Sequence, residues 1–203
     1  WRQIATRYKD RPDGLLFELM NEPHDQLTAS KWNQILEQGI AAVRETNPTR
    51  NIVIGPTSWN NTDALSSLRL PDDEHIIVTV HMYEPFQFTH QGADWVDGSE
   101  AWRGRRWTGT PNERQFVTNI LQRAVTWGQQ NDRPIFLGEF GAYSAAEMES
   151  RALWTSHVAR EAERLGLSWA YWEFMSGFGL YIPQNDTFRE ALKEALIPSE
   201  SED

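Results

Sequence analysis

Two glutamates follow apolar runs of the 203-residue chain, close to the points where those runs end. Glu22 closes the stretch GLLFELMNE, and Glu139 lies in PIFLGEF. Two carboxyl groups that flank one sugar bond are the working groups of glycoside hydrolysis. One protonates the leaving oxygen, and in a retaining enzyme the other, roughly 5–5.5 Å from the first, attacks the anomeric carbon. The pair therefore predicts this chemistry if the fold brings both side chains to one place.

Further polar and aromatic residues occur where the apolar runs end. Asn21 directly precedes Glu22, His81 and Tyr83 follow the third run, and Trp172 lies at the end of the fifth. In parallel α/β proteins, ligands bind beyond the carboxyl ends of the strands. These residues are therefore predicted to belong to one site at that edge of a sheet.

Other residues near this edge are expected to be structural or have both a structural and a sugar-binding interpretation. Glu18 faces the same side of its strand as the glutamate four positions later, and we expect a buried structural carboxylate there. Glu173 is expected to be structural as well. His90 and Trp95, in the loop after the third strand, and Trp59, after the second, either line sugar-binding subsites or pack their loops.

The apolar patterns predict an α/β fold. Five nearly continuous apolar runs predict parallel strands that are buried on both faces, at 14–20, 51–55, 76–81, 134–140 and 167–174. Apolar residues at helical spacing predict helices at 30–46, 112–130, 148–165 and 187–196. The stripes of the first two helices include Ile35 and Phe116, and Ser30 is the expected N-cap of the first. This alternation predicts a parallel sheet with right-handed crossovers.

The composition narrows the choice of partners. A net charge of −10 argues against nucleic acid and anionic membranes as partners. The chain has no cysteine and no closely spaced set of metal-ligating residues, so no metal site is predicted. Ten tryptophans either fill the core or form platforms for sugar rings. The arginines of WRGRRW, residues 102–107, are expected to form a solvated face.

Four motifs, in order, resemble glycoside hydrolase family 5, the endoglucanase and mannanase group with an eight-stranded (β/α)8 barrel. The motifs are ELMNEP, HMYEPFQFTHQGADW, IFLGEFGAY, and YWEF followed by SGFGLY. The stretch FTHQGA is most similar to the bacterial endo-β-1,4-glucanases of that family. The resemblance implies hydrolysis of cellulose-type β-1,4-glucan without a cofactor, and it implies secretion.

The resemblance also implies a role for each matching residue. By this resemblance, Glu22 is the acid/base and Glu139 is the nucleophile. Asn21 hydrogen-bonds the 2-hydroxyl of the sugar, and His81 and Tyr83 flank the two carboxylates. Trp172 is the stacking residue at the cleavage subsite.

The five predicted strands correspond to the family's fourth to eighth strands. The family's arginine from the second strand and histidine from the third have no counterpart here. We therefore expect a partial TIM barrel domain over 1–197, with reduced activity, and a disordered acidic tail at 198–203. Open sheet edges predict a homodimer or higher oligomer. The alternative is an inactive half-barrel that self-assembles or binds glycan.

Overall fold

The computed structural model describes residues 1–199. The tail residues 200–203 lie outside the described residues. Two short 3-10 helices occupy Thr62–Ser67 and Ser99–Trp102. The helices are α1 (Arg2–Tyr8), α2 (Ala29–Arg44), α3 (Thr57–Asn60), α4 (Phe86–Thr89), α5 (Pro111–Gln130), α6 (Met148–Arg164) and α7 (Glu190–Leu196). The strands are β1 (Phe17–Glu18), β2 (Ile52–Ile54), β3 (Ile76–Met82), β4 (Ile135–Phe140), β5 (Ser168–Trp169), β6 (Tyr181–Ile182) and β7 (Thr187–Phe188).

Strands β1 to β5 form one sheet in chain order. The β1 and β2 strands pair in parallel, with Phe17 opposite Ile52, and β2 pairs in parallel with β3, with Ile52 opposite Ile76. Helices follow the strands along the chain. The predicted α/β class with about five parallel strands is confirmed, and chain order is what successive right-handed crossovers produce.

Contacts divide the chain into two compact units. The first unit contains Trp1–His81 and Arg123–Phe136. Its core includes Trp32 of α2, whose indole N–H donates to the carbonyl oxygen of Gly55 at 2.9 Å. The buried Arg50 guanidinium donates to the carbonyl oxygens of four residues that precede β1: Lys9, Arg11, Pro12 and Leu15. These bonds fix the chain where it enters the sheet.

The second unit contains Met82–Gln122 and the chain from Leu137 onward. Trp154 of α6 is fully buried, and its indole N–H donates to the carbonyl oxygen of Glu84 at 3.1 Å. Arg151, one turn earlier, donates to the carbonyl oxygens of Ala142 and Phe178. Burial lowers the pKa of this guanidinium. The helix thereby holds both the loop after β4 and the loop after β5.

Several sequence-based boundaries are wrong. The strands predicted at 14–20 and 167–174 contain only two ladder residues each, since each lies at an end of the sheet. Thr28, not Ser30, caps α2, because its hydroxyl accepts the backbone N–H of Lys31. The helix predicted from 187 begins at Glu190, because Thr187–Phe188 pairs with β6 instead.

Burial also differs from the sequence pattern. Glu18 is exposed, not buried, because β1 is an edge strand paired only with β2 in the described chain. Ile35 and Phe116 are exposed, although both continue the apolar stripes of their helices. The three arginines of the WRGRRW loop, at 103, 105 and 106, are exposed as expected. Among residues 1–199, no helix has the length and apolar character needed to cross a membrane.

Candidate active site

Glu22 in the first unit is held by a histidine. The chain turns at Glu22, which has a φ of 47° and directly precedes the buried Pro23. Nδ1 of His81, near the end of β3, lies 2.9 Å from Oε1 of Glu22. The His81 side chain is 3% exposed and the Glu22 side chain is 25% exposed. The carboxyl group is therefore fixed on one side and accessible to solvent on the other.

The other ring nitrogen of His81 also has a partner. The side-chain nitrogen Nδ2 of the buried Asn60 lies 3.2 Å from Nε2 of His81. Asn60 ends the single turn α3, in which Ser58, Trp59 and Asn60 all have φ between 55° and 62°. Glu22, His81 and Asn60 thus form a chain of polar contacts that runs from solvent into the interior of the first unit.

Trp59 stands beside this polar chain. Its indole stacks on the imidazole of His24, with ring centroids 4.9 Å apart and an interplanar angle of 12°. The Trp59 side chain is nevertheless 51% exposed. Its backbone N–H donates to the carbonyl oxygen of Pro23 at 3.4 Å, which ties the turn to the segment that carries Glu22. A flat, exposed ring supported from one side is suited to stacking on a sugar.

Glu139 in the second unit is held by a tyrosine. The Tyr83 hydroxyl donates to Oε2 of Glu139 at 2.7 Å. Glu139 belongs to β4, and Tyr83 directly follows β3. A short hydrogen bond from a neutral hydroxyl to a carboxylate oxygen favours the ionised form of the acid.

An aromatic cluster packs around Tyr83. The rings of His90 and Phe178 meet the Tyr83 ring edge-on, with centroids 5.0 and 6.0 Å away. His90 is buried, and the Thr89 hydroxyl lies 2.9 Å from its Nδ1 while donating to the carbonyl oxygen of Tyr83 at 2.6 Å. The structure therefore places His90 inside the cluster, where it supports Tyr83.

Trp95 and Trp172 present exposed faces in the second unit. Trp95 packs edge-on against Tyr143, at a centroid distance of 5.0 Å, and is 58% exposed. Trp172 is also exposed, and its peptide bond to Glu173 is cis. The Glu173 carboxylate accepts backbone N–H groups at Met175, Ser176 and Phe178. The structural role expected for Glu173 is thus confirmed, since it shapes the loop after Trp172.

The predicted site residues fall into two groups. His81 and Glu22 are in contact in the first unit, where Trp59 lies nearby and Asn21 is exposed next to Glu22. In the second unit Tyr83 and Glu139 are in contact, and His90 and Trp95 belong to the cluster that includes Tyr83 and Phe178.

Comparisons with known proteins identify the family of the chain. The family described as cellulase (glycosyl hydrolase family 5) matches residues 1–177. The chain belongs to glycosyl hydrolase family 5. Endoglucanase H of Acetivibrio thermocellus is 33% identical over 173 residues, which are 85% of this chain and 18% of that protein. Cellodextrinase A of Ruminococcus flavefaciens is 27% identical over 168 residues, 83% of this chain and 50% of that one.

Solved structures of family 5 proteins match more of the chain. Cel5A of Thermotoga maritima, in a structure described as a complex with cellobiose, is 48% identical, with a TM-score of 0.95 over 97% of this chain. A second structure of that protein is described as a complex with a mannotriose substrate, at 47% identity and a TM-score of 0.95. Each match covers 64% of the solved chain. The present chain thus spans less than two thirds of the length of these relatives.

Sequence reasoning missed three residues of this candidate site. Asn60 contacts His81, Phe178 packs on Tyr83, and Thr89 bonds to the Tyr83 backbone. Asn60 had a weak signal, because a polar side chain soon after a predicted strand is a candidate for that strand's carboxyl edge. Phe178 and Thr89 lie within the motifs SGFGLY and HMYEPFQFTHQGADW, so the sequence marked their segments, and only tertiary packing shows their contacts with Tyr83.

Proposed function

We propose that this family 5 chain is a retaining endo-glycosidase that cleaves β-1,4-glucan, with Glu22 as acid/base and Glu139 as nucleophile. The observation that carries the proposal is the 2.7 Å hydrogen bond from the Tyr83 hydroxyl to Glu139. A nucleophilic carboxylate must be ionised, and a hydrogen bond donated to one of its oxygens favours the ionised form. Family membership supports the same assignment.

The surroundings of Glu22 support the other role. An acid/base must hold a proton before the first step and accept one in the second. The imidazole 2.9 Å away can serve as a hydrogen-bond partner of the carboxyl group in both states. The quarter of the Glu22 side chain that stays exposed leaves room for a leaving oxygen or a water molecule.

The proposed reaction has two displacements. Glu139 attacks the anomeric carbon, the bond to the leaving oxygen breaks, and the proton of Glu22 passes to that oxygen. Glu22, now a carboxylate, takes a proton from water while the water oxygen attacks the anomeric carbon. The bond to Glu139 breaks, and the sugar is released with retained configuration.

The proposed substrate is a β-1,4-glucan of the cellulose type. The relatives are named endoglucanase and cellodextrinase, and one solved relative is described with both cellobiose and mannotriose. Exposed indoles at Trp59, Trp95 and Trp172 offer the flat apolar surfaces on which pyranose rings stack. Secretion is proposed on the family resemblance alone.

Hydrolysis of cellopentaose and mannopentaose tests both the chemistry and the substrate. Glu22→Gln and Glu139→Gln should each abolish turnover of cellopentaose by the parent chain. The exposed Glu74 and Glu149 provide matched controls, and Glu74→Gln and Glu149→Gln should retain parent activity. A parent chain no faster than the two active-site variants would exclude the enzyme assignment, and faster cleavage of mannopentaose would exclude glucan as preferred substrate.

A second candidate is a glycan-binding half-barrel without turnover. It is favoured by the exposed apolar residues at and around the edge strand β1, namely Leu15, Leu16 and Met20, together with the exposed indoles. We propose that the chain covers this edge by self-association. Light scattering gives the mass, and a single species of 23.5 kDa would contradict self-association. Retarded migration in gels containing hydroxyethylcellulose, without hydrolysis, would favour the binding function.

A further inference from the structure

We propose that Asn60 is a positioning residue that sets the tautomer of His81 and thereby selects which oxygen of Glu22 carries the catalytic proton. The proposal rests on the acid/base role proposed for Glu22. Asn60 itself touches neither sugar nor reacting atoms in this account. It acts through the imidazole that stands between it and the carboxyl group.

The tautomer follows from the donor chemistry of the two contacts. Nδ2 of Asn60 carries hydrogens and no lone pair available for bonding, so at 3.2 Å it donates and Nε2 of His81 accepts. A neutral imidazole that accepts at Nε2 has its proton on Nδ1. That proton points to Oε1 of Glu22, which lies 2.9 Å from Nδ1. In this tautomer His81 donates through Nδ1 to Glu22.

For catalysis, this tautomer gives the two oxygens of Glu22 different roles. Oε1 accepts a hydrogen bond, so the acidic proton resides on Oε2, which remains available to the leaving oxygen. A charged His81 would be unfavourable for the acid role of Glu22. A doubly protonated imidazole would place a positive charge against the carboxyl group and favour its ionised form before the first step. A neutral His81 adds no positive charge beside Glu22, so the ionised form of the acid is favoured less than it would be beside an imidazolium.

The surroundings of Asn60 fix the place of its amide group. A Cβ atom at Gly55 would lie 2.1 Å from Oδ1 and 2.8 Å from Nδ2 of Asn60, so only glycine permits the amide to occupy this place. The carbonyl oxygen of Gly55 accepts the indole N–H of Trp32 at 2.9 Å, which fixes the backbone beneath the amide. Both neighbours are buried in the first unit.

The backbone of α3 is unusual in a way that fits this role. Ser58, Trp59 and Asn60 lie consecutively in the left-handed region, with φ of 62°, 58° and 55°. Such conformations are costly outside glycine and persist where the surrounding structure requires them. Because of this turn, the Trp59 side chain is exposed to solvent, while the amide of the next residue, Asn60, is buried and contacts His81.

The imidazole tautomer can be measured directly in the parent chain. Long-range ¹H–¹⁵N correlation spectra distinguish a protonated from an unprotonated ring nitrogen in each of the five histidines. The signals of His81 are assigned by their loss in His81→Gln. We expect Nδ1 to carry the proton and Nε2 to be bare. A proton on Nε2 of neutral His81 would overturn the proposal, whatever the activity of the chain.

Asn60→Asp inverts the hydrogen-bonding character of the side chain at almost constant shape, because a carboxylate only accepts. We expect Nε2 of His81 to become protonated in this variant. The adjacent Asn61 is a matched control, since its side chain accepts the backbone N–H of Asp63, a bond that Asn61→Asp preserves. Unchanged His81 signals in folded Asn60→Asp would overturn the proposal. Gly55→Ala, which displaces the Asn60 amide, should also change the His81 signals.

Kinetics separate positioning from general loss of structure. Asn60→Asp should lower kcat/KM for cellotetraose by about 10-fold, the size of one hydrogen bond between neutral groups. The loss should be much smaller for 2,4-dinitrophenyl β-cellobioside, whose leaving group departs without a proton. Equal losses on both substrates would overturn the catalytic part of the proposal. An inactive parent chain would refute the proposed function instead, and the spectra would still decide the tautomer.

Discussion

The two carboxylates differ in the kind of neighbour that the fold gives them. Glu22 meets an imidazole, which in turn meets the amide of Asn60. Glu139 meets the hydroxyl of Tyr83, and behind that tyrosine lie aromatic rings. The first unit thus supports its carboxyl group with polar contacts, and the second unit supports its own with one donor backed by apolar packing.

This difference matches the proposed tasks. A group that must alternate between acid and carboxylate is served by a partner whose protonation is itself controlled. A group that must remain a carboxylate is served by a partner that always donates. In the proposed account the two carboxyl groups differ in what stands behind the donor, which is the amide of Asn60 behind His81 and aromatic rings behind Tyr83.

Removing the nucleophile should have the largest effect. Glu139→Ala is expected to lower kcat on p-nitrophenyl β-cellobioside roughly 10⁵-fold, because no other carboxylate is proposed to form the covalent intermediate. Sodium azide should restore turnover and yield the α-glycosyl azide, the inverted product. Recovery of a β-glycosyl azide would break the comparison by giving Glu139 the role of acid/base.

Removing the acid should have a large effect that depends on the leaving group. Glu22→Ala is expected to lower kcat/KM for cellotetraose about 10²- to 10⁴-fold, the usual range for general acid catalysis. With 2,4-dinitrophenyl β-cellobioside, glycosylation should be nearly unaffected, and azide should give the β-glycosyl azide. A loss that is independent of the leaving group would contradict the assignment of Glu22.

Removing the donor to Glu139 should have an intermediate effect. Tyr83→Phe keeps the ring in its cluster and deletes one hydrogen bond to a charged group, which is worth roughly 10- to 100-fold in kcat. The half-exposed Tyr8 offers a control, and Tyr8→Phe should match the parent. Full activity of Tyr83→Phe would show that the hydroxyl does not tune the nucleophile.

Loosening the aromatic support should have the smallest effect. Phe178→Leu retains an apolar side chain but removes the ring that packs edge-on against Tyr83. We expect a loss of about 1–3 kcal/mol in the free energy of unfolding and less than a 10-fold loss in kcat. Urea unfolding and initial rates measure the two. A kcat loss larger than that of Tyr83→Phe would mean that packing, not the hydrogen bond, governs Glu139.

Local patterns predicted the elements better than their limits. The apolar runs located all five strands of the sheet, since strand interiors are apolar wherever they lie. They overestimated β1 and β5, because ladder length depends on the neighbouring strand, which a local pattern does not contain. The same reason accounts for Glu18, whose exposure follows from the position of β1 at the sheet edge.

The motifs indicated which residues belong to the candidate site, and they did not indicate the contacts that depend on tertiary packing. Glu22, His81, Tyr83 and Glu139 stand at strand ends and resemble family motifs, so their types and order were informative. The contact of Asn60 with His81 depends on three consecutive left-handed residues and on the close approach of Gly55. Left-handed backbone at serine and tryptophan is disfavoured, so no local preference indicates it.

Trapping the glycosyl-enzyme tests the central claim most directly. The parent chain is incubated with 2,4-dinitrophenyl 2-deoxy-2-fluoro-β-cellobioside, digested, and analysed by mass spectrometry of its peptides. The account predicts one fluorocellobiosyl group, attached to Glu139, in the parent and in the Glu149→Gln control. A label on Glu22, or a chain that hydrolyses cellopentaose with inversion and never acquires a label, would contradict it.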